Sequence, residues 1–189
     1  MSLLFRRLTD PDHAGILALQ EVNLFDNLSV EARRDGFLSA RFSREQLVQI
    51  DRDVGVLVAR DAERVVGYMC ASGVELNRQF PLLLAMIDRY DEVNFQGAAL
   101  ADQKTFVYGP VCVDRAYRGR GVLRGLFQAL LRDIAGRFDA GVAFVAEDNR
   151  RSLAAHVAGL AMHDVGRFEF KGKLYRILAF GAGATPVSS

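Results

Sequence analysis

The stretch that most constrains this chain is Thr105 to Phe138, TFVYGPVCVDRAYRGRGVLRGLFQALLRDIAGRF. Thr105 to Val113 is rich in β-branched and aromatic residues and predicts a half-buried strand. Asp114 to Gly121 is charged and punctuated by glycine, as a loop should be. Leu123, Leu126, Phe127, Leu130, Leu131, Ile134 and Phe138 then fall on one stripe at helical spacing. At the junction, Gly119, Gly121 and Gly125 let backbone approach a ligand with no Cβ in the way. A helix starts there, so unpaired N–H groups and the positive end of its dipole face the loop. Arg118, Arg120 and Arg124 add charge at the same place. The combination predicts an anion site, and a pyrophosphate best fits its size and charge. The bland counterpart is a glycine-rich turn with exposed arginines. A Gly-x-Gly-x-x-Gly dinucleotide loop is disfavoured because its third glycine falls on Arg124. A P-loop is excluded because no Gly-Lys-Ser/Thr follows.

Gly109-Pro110 interrupts the strand. Proline cannot donate to a ladder, so the strand should bulge or part from a neighbour there. Gly141 to Ala146 predicts the next strand, reached through the intervening helix by a parallel crossover. Asn149 can cap the helix after it, and Asn149, Ser152 and His156 share one face of that helix. Leu153, Val157 and Leu160 share another and are read as core. Val165 to Phe170 and Lys173 to Phe180 predict a hairpin about Lys171-Gly172.

Upstream, Leu3 to Leu8 predicts a strand. Asp10-Pro11 opens a helix through about Val22, and Ser29 caps a second one running toward Phe37. Ser43 and Gln46 form a capping box for a third. Val54 to Arg60 and Arg64 to Ser72 are hairpin strands. Pro81 opens a helix through about Tyr90. The acids around it (Glu75, Asp88, Asp91, Glu92, Asp102) suit a solvated face better than a binding surface.

RGRGVLRG following YGPVCVD resembles the Arg/Gln-x-x-Gly-x-Gly/Ala segment of the GNAT superfamily of N-acetyltransferases. Arg118 and Gly121 match its first and fourth positions, and Leu123 stands at the sixth, where Gly or Ala is usual. EDNRRSLAAHVAGL is similar to the family's next segment, with Asn149, Ser152 and His156 in step and Gly159 one residue out of register. The resemblance runs over roughly residues 55 to 180 in element order and implies one α/β domain, taken as residues 1–180, while the small-residue stretch at 181–189 reads as a flexible tail. Its sheet is mixed and mostly antiparallel, flanked by helices, with a parallel strand pair splayed at the cofactor. Acetyl-CoA is the implied co-substrate and no metal is implied. The backbone of Val111, Cys112 and Val113 would meet its pantetheine arm. Arg118, Gly119, Arg120, Gly121, Val122, Leu123 and Arg124 would hold its pyrophosphate, with Asn149 and Ser152 as further contacts.

The implied reaction is direct attack of a neutral amine on the thioester, so a base must take the amine's proton and an acid must protonate the thiolate. His156 stands where the family commonly has a tyrosine acid. Its reference pKa of about 6.5 lies below the thiol's of about 8.5, so an imidazole can serve. Glu147 is the first candidate base, with Asp148 and Glu75 behind it, and Tyr108 is a candidate lining residue. A non-catalytic acyl-CoA-binding module is the alternative. The acceptor would be a small-molecule or peptide amine, and a homodimer is compatible with the family.

With 189 residues, half of them hydrophobic, the chain can bury a sizeable core. A formal net charge of +1 gives no electrostatic case for nucleic acid or an anionic membrane. His13, His156 and His163 show no metal-ligand spacing. Cys70 and Cys112 are expected as buried free thiols. MSLLFRR lacks the pattern of a signal peptide, and no apolar run is long enough to span a bilayer. A cytoplasmic location is therefore expected.

Overall fold

A computed structural model of the protein describes residues 3–33, 36–38 and 41–183. The elements of its first half are β1 (Leu3–Arg7), α1 (Asp12–Glu21), α2 (Val30–Arg33), α3 (Arg44–Asp53), β2 (Gly55–Asp61), β3 (Arg64–Gly73), α4 (Val74–Asn77), α5 (Pro81–Ile87), β4 (Asn94–Phe95) and β5 (Ala98–Ala99). Then follow β6 (Thr105–Val113), α6 (Val122–Asp133), β7 (Ala140–Ala146), α7 (Arg150–Leu160), β8 (His163–Phe170) and β9 (Lys173–Gly181). The hydrogen-bonded order of the seven-stranded sheet is β1-β2-β3-β6-β7-β9-β8, and β4 with β5 forms a separate ribbon. The β1–β2, β2–β3, β7–β9 and β8–β9 ladders are antiparallel, and β6–β7 is parallel. This is the mixed, mostly antiparallel sheet expected from the sequence.

The chain divides into two compact units, Met1–Ala71 with Gly109–Asp133 and Ser72–Tyr108 with Ile134–Ser189. In the first, α6 packs on β1 and β2, and α3 packs on β2. Leu126 and Leu130 of α6 are fully buried, as are Ile16, Leu47, Val56 and Met69. Each such aliphatic side chain contributes roughly 1.5–3 kcal/mol relative to exposure. Ser43 starts α3 with the full capping box: it accepts from Gln46 N, and the Gln46 side chain accepts from Ser43 N. Asp12, at the start of α1, is fully buried and accepts from Arg6 Nη1 at 2.6 Å, Arg60 Nη1 at 2.6 Å and Thr9 N at 2.8 Å. Burial pushes its carboxyl up, but these hydrogen bonds outweigh that and hold it at about 2.

In the second unit, Met86, Ile87 and Tyr90 from α5 and its following turn cluster with Val107, Val142, Phe168 and Ile177 from the strands. The β8–β9 turn has Lys171 at φ 49° and Gly172 at φ 73°, the left-handed pair a two-residue hairpin needs.

Three expectations are corrected. The helix capped by Ser29 is described over Val30–Arg33 and does not reach Phe37, which is not helical; residues 34–35 lie outside the described set. Helix α6 ends at Asp133, short of Phe138, with Gly136 at φ 73° beyond it. The third concerns α7: Val157 is 37% exposed, and the only fully buried residue of that helix is His156. The expected core face of Leu153, Val157 and Leu160 is therefore not the buried one. The tail at 184–189 lies outside the described residues.

Candidate active site

Strand β6 is paired with β7 only from Thr105↔Ala140 to Val107↔Val142, although β6 runs on to Val113 and β7 to Ala146. The parallel pair parts where the sequence has Gly109-Pro110. Gly109 takes φ 111°, and the Gly109-Pro110 peptide is cis. Beyond it, Cys112 is 5% exposed and turns its side chain into the core. The carbonyl of Val113 already accepts from Arg118 Nε at 3.1 Å.

The loop after β6 is built by its own side chains. Asp114 caps a short turn by accepting from Ala116 N at 2.9 Å and pairs with Arg64. Tyr117 donates its hydroxyl proton to Asp61 at 2.7 Å. Arg118 is turned inward, donating also to Asn23 Oδ1 at 2.9 Å. Arg120 and Arg124 are exposed. Gly119 and Gly121 adopt φ 74° and 81°, and a Cβ at either would meet nothing within 4 Å. Their glycine identity thus serves backbone conformation beside open space, which suits an anion cradle. Gly125 differs. A Cβ there would lie 2.2 Å from the Phe5 ring, so this glycine admits an aromatic side chain of β1 rather than a ligand. Helix α6 begins at Val122, with its first hydrogen bond from Gly125 N to Gly121 O at 2.9 Å.

The second unit carries the other predicted residues. Asn149 is the N-cap of α7, its Oδ1 accepting from Ser152 N at 3.1 Å. One turn on, His156 Nδ1 lies 2.7 Å from Ser152 O and 3.3 Å from Ser152 Oγ. Its Nε2 lies 3.3 Å from the Tyr108 hydroxyl, and the two rings meet edge to face with centroids 5.6 Å apart. Since a carbonyl only accepts, Nδ1 carries the ring proton and Nε2 accepts from Tyr108. Burial pushes the imidazole below its ordinary pKa, and the hydrogen bond to Ser152 pulls the other way without offsetting it. Burial likewise pushes the Tyr108 phenol up.

The carboxylates are engaged elsewhere. Glu147 Oε1 pairs with Arg176 Nη1 at 3.1 Å, and Arg176 also pairs with Asp164. Asp148 pairs with Lys173 at 3.2 Å and Glu75 with Arg78 at 3.0 Å. Asp88, Asp91, Glu92 and Asp102 are all exposed, in keeping with a solvated face. Among the described residues, no group of three or more His, Cys, Asp or Glu is placed to hold a metal ion.

The acetyltransferase (GNAT) family model matches residues 21–160. The chain belongs to the GNAT acetyltransferase family. It is an acetyl-CoA-dependent N-acetyltransferase. No curated protein matches its sequence. Among solved structures, the acetyltransferase is similar to a GNAT-family acetyltransferase from Streptococcus agalactiae, at 14% identity and TM-score 0.64 over 95% of each chain. It is also similar to the ribosomal-protein-alanine N-acetyltransferase of Brucella melitensis, at 18% identity and TM-score 0.60 over 94% of this chain and 99% of that one. A third, the Salmonella typhimurium protein yncA solved with acetyl-CoA, has 17% identity and TM-score 0.57 over 99% and 98% of the two chains. At these identities the likeness carries the fold alone.

What sequence reasoning underweighted is Tyr108 and the inward turn of Arg118. Nothing in the pattern signals that residue 108 meets residue 156, or residue 118 meets residue 23.

Proposed function

We propose that the enzyme acetylates the amine of a small molecule or peptide, with residues 1–180 acting as one catalytic domain. The observation that carries the cofactor placement is the pair of left-handed glycines, Gly119 and Gly121, facing open space at the start of α6. The pyrophosphate of acetyl-CoA lies on the backbone of residues 118 to 124, with Arg120 and Arg124 supplying charge. The pantetheine arm runs along the backbone of Val111, Cys112 and Val113, where β6 has left β7. Asn149 and Ser152 fix the start of α7 and so the position of His156.

The amine attacks the thioester carbon directly, so catalysis is positioning plus proton transfer. His156 takes part in the proton transfers. Glu147 is the weaker candidate because its carboxylate is held by Arg176. The free, buried thiols of Cys70 and Cys112 suit a reducing compartment such as the cytoplasm. Among the described residues, no helix is long and apolar enough to cross a membrane.

A thermal scan tests the cofactor assignment. Acetyl-CoA at 100 times its Kd should add about 2.7 kcal/mol of stability, and NAD and ATP less. Release of the CoA thiol in the presence of small amines and short peptides then reads the acceptor class. Stabilisation by NAD and none by acetyl-CoA would overturn the cofactor placement.

A further inference from the structure

Helix α7 has eleven residues, and the one it fully buries is a histidine. Apolar packing does not explain that choice, because an imidazole is costlier to desolvate than the leucine and valine the same helix leaves partly exposed. What the burial achieves is a fixed line of hydrogen bonds. The carbonyl of Ser152 holds Nδ1–H at 2.7 Å, and Nε2 faces the Tyr108 hydroxyl at 3.3 Å. Tyr108 also meets the Phe180 ring edge to face, centroids 5.6 Å apart, which packs the phenol in place. Tyr108 is also the first residue of β6 past the last β6–β7 pair, Val107↔Val142. In the acetyltransferase reading, on which this inference rests, the thioester lies along that stretch of β6.

We propose that the Tyr108 hydroxyl is the group that exchanges a proton with the reacting atoms, and that His156 behind it stores that proton between the two halves of the reaction. The amine nitrogen bonds to the thioester carbon and becomes cationic. Its proton passes to Tyr108 Oη as the phenol's own proton passes to His156 Nε2, leaving an imidazolium. The C–S bond breaks with its electron pair on sulfur. The Nε2 proton then returns to Tyr108 Oη as the phenol proton passes to the thiolate. One N–C bond forms, one C–S bond breaks, and the amine's proton ends on the thiol with both side chains restored. The neutral ring waits with its lone pair on Nε2, as the first transfer requires. Among the described residues a carbonyl rather than a carboxylate supports Nδ1, so the stored charge has no counter-ion and is handed on. Tyr108 is then a catalytic residue, and His156 and Ser152 act through it.

The test uses the full chain with acetyl-CoA and whichever of spermidine, tyramine and a free-amine tetrapeptide turns over fastest. Tyr108→Phe should lower kcat by about 100-fold with KM for acetyl-CoA unchanged, a split that loss of packing would not give. His156→Gln should do the same, and the double variant should be no slower than the slower single, because the two act as one unit. In long-range ¹H–¹⁵N spectra of the wild type, His156 should carry its proton on Nδ1. Wild-type kcat in folded Tyr108→Phe, multiplying effects in the double variant, or a proton on Nε2 would each overturn the relay while leaving the acetyltransferase reading intact. If Tyr108→Phe does not fold, His156→Gln and the spectrum decide alone. Tight acetyl-CoA binding with no turnover of any amine in the wild type would remove the acetyltransferase reading, and the relay with it.

Discussion

Arg118 Nη2 donates to Asn23 Oδ1 at 2.9 Å, joining positions 95 apart in the chain, while its Nε holds the carbonyl of Val113 at 3.1 Å. The arginine that opens the glycine loop is thus a brace, tying the loop to the end of β6 and to the turn after α1. Arg118→Leu strips this donor from the buried Asn23 oxygen and should destabilise the fold by about 1–3 kcal/mol. Arg118→Lys should recover little, because a lysine lacks the planar fork. Urea midpoints at constant m-value read the effect. The salt slope of acetyl-CoA binding should stay at its wild-type value in Arg118→Lys and fall in Arg120→Ala. Full stability with weakened binding in Arg118→Leu would instead mean that its side chain faces the phosphates.

Two loop glycines should behave oppositely. Gly121→Val forces a β-branched residue to φ 81° in open space, a backbone strain of roughly 1–3 kcal/mol that falls where the cradle forms. Calorimetry should show acetyl-CoA affinity falling further than stability. Gly125→Ala puts a Cβ 2.2 Å from the Phe5 ring and should lower Tm despite alanine's better helix propensity. Adding Phe5→Leu should restore much of that loss, and acetyl-CoA affinity should not change beyond what the altered stability explains.

Asp12 sets an acid limit. Its carboxyl is held at about 2, below its ordinary 3.8, by Arg6, Thr9 and Arg60 against the opposing effect of burial. The folded state therefore binds this proton more weakly than the unfolded chain. The stability that Asp12 contributes is complete above pH 4 and lost as pH falls toward about 2. In Asp12→Asn the two guanidiniums lose their shared counter-charge, at a cost of about 3–5 kcal/mol near neutrality. The fall in Tm between pH 4 and pH 2 should be correspondingly shallower. A parallel pair of Tm–pH curves would show that Asp12 is not the controlling group.

Cys112 offers a chemical check on β6. Burial pushes its thiol up to about 12; nearby Arg118 pulls it down and Asp114 pushes it up, without changing that outcome. Burial pushes Cys70 up as well. Neither thiolate is available at pH 8, so an aromatic disulfide reagent should label no thiol in the native protein and two in denaturant. Native labelling of Cys112 would mean that its side chain, and not only its backbone, lines the cofactor path.

What could be read from the sequence was local. The capping box of Ser43 and Gln46, the Asn149 cap and the Lys171-Gly172 turn each involve residues within one turn of chain, so their chemistry is written in adjacent letters. The glycine loop was legible for the same reason, except at Gly125, whose neighbour Phe5 comes from the far end of the chain. The buried carboxylate of Asp12 was invisible because Arg60 approaches only once β1 and β2 are in register, with Arg6 opposite Val58. Periodicity found the faces of α7 but could not say which is covered. The strand that covers His156 brings Tyr108, and that pairing depends on tertiary structure alone.

Helix α7 buries one residue, His156, and its Asn149 and Ser152 hydrogen bonds are internal to the helix, so it has little hydrophobic area to lose on detaching. Its amides should therefore exchange with deuterium through a local opening well below the global unfolding free energy, earlier than those of α6, whose buried stripe includes Leu126 and Leu130. In the proposed relay, the contact that holds α7 to β6, His156 to Tyr108, is also the one that carries the proton. The first part of the protein to loosen on warming would be the part that carries the imidazole, and activity should fade before the fold does.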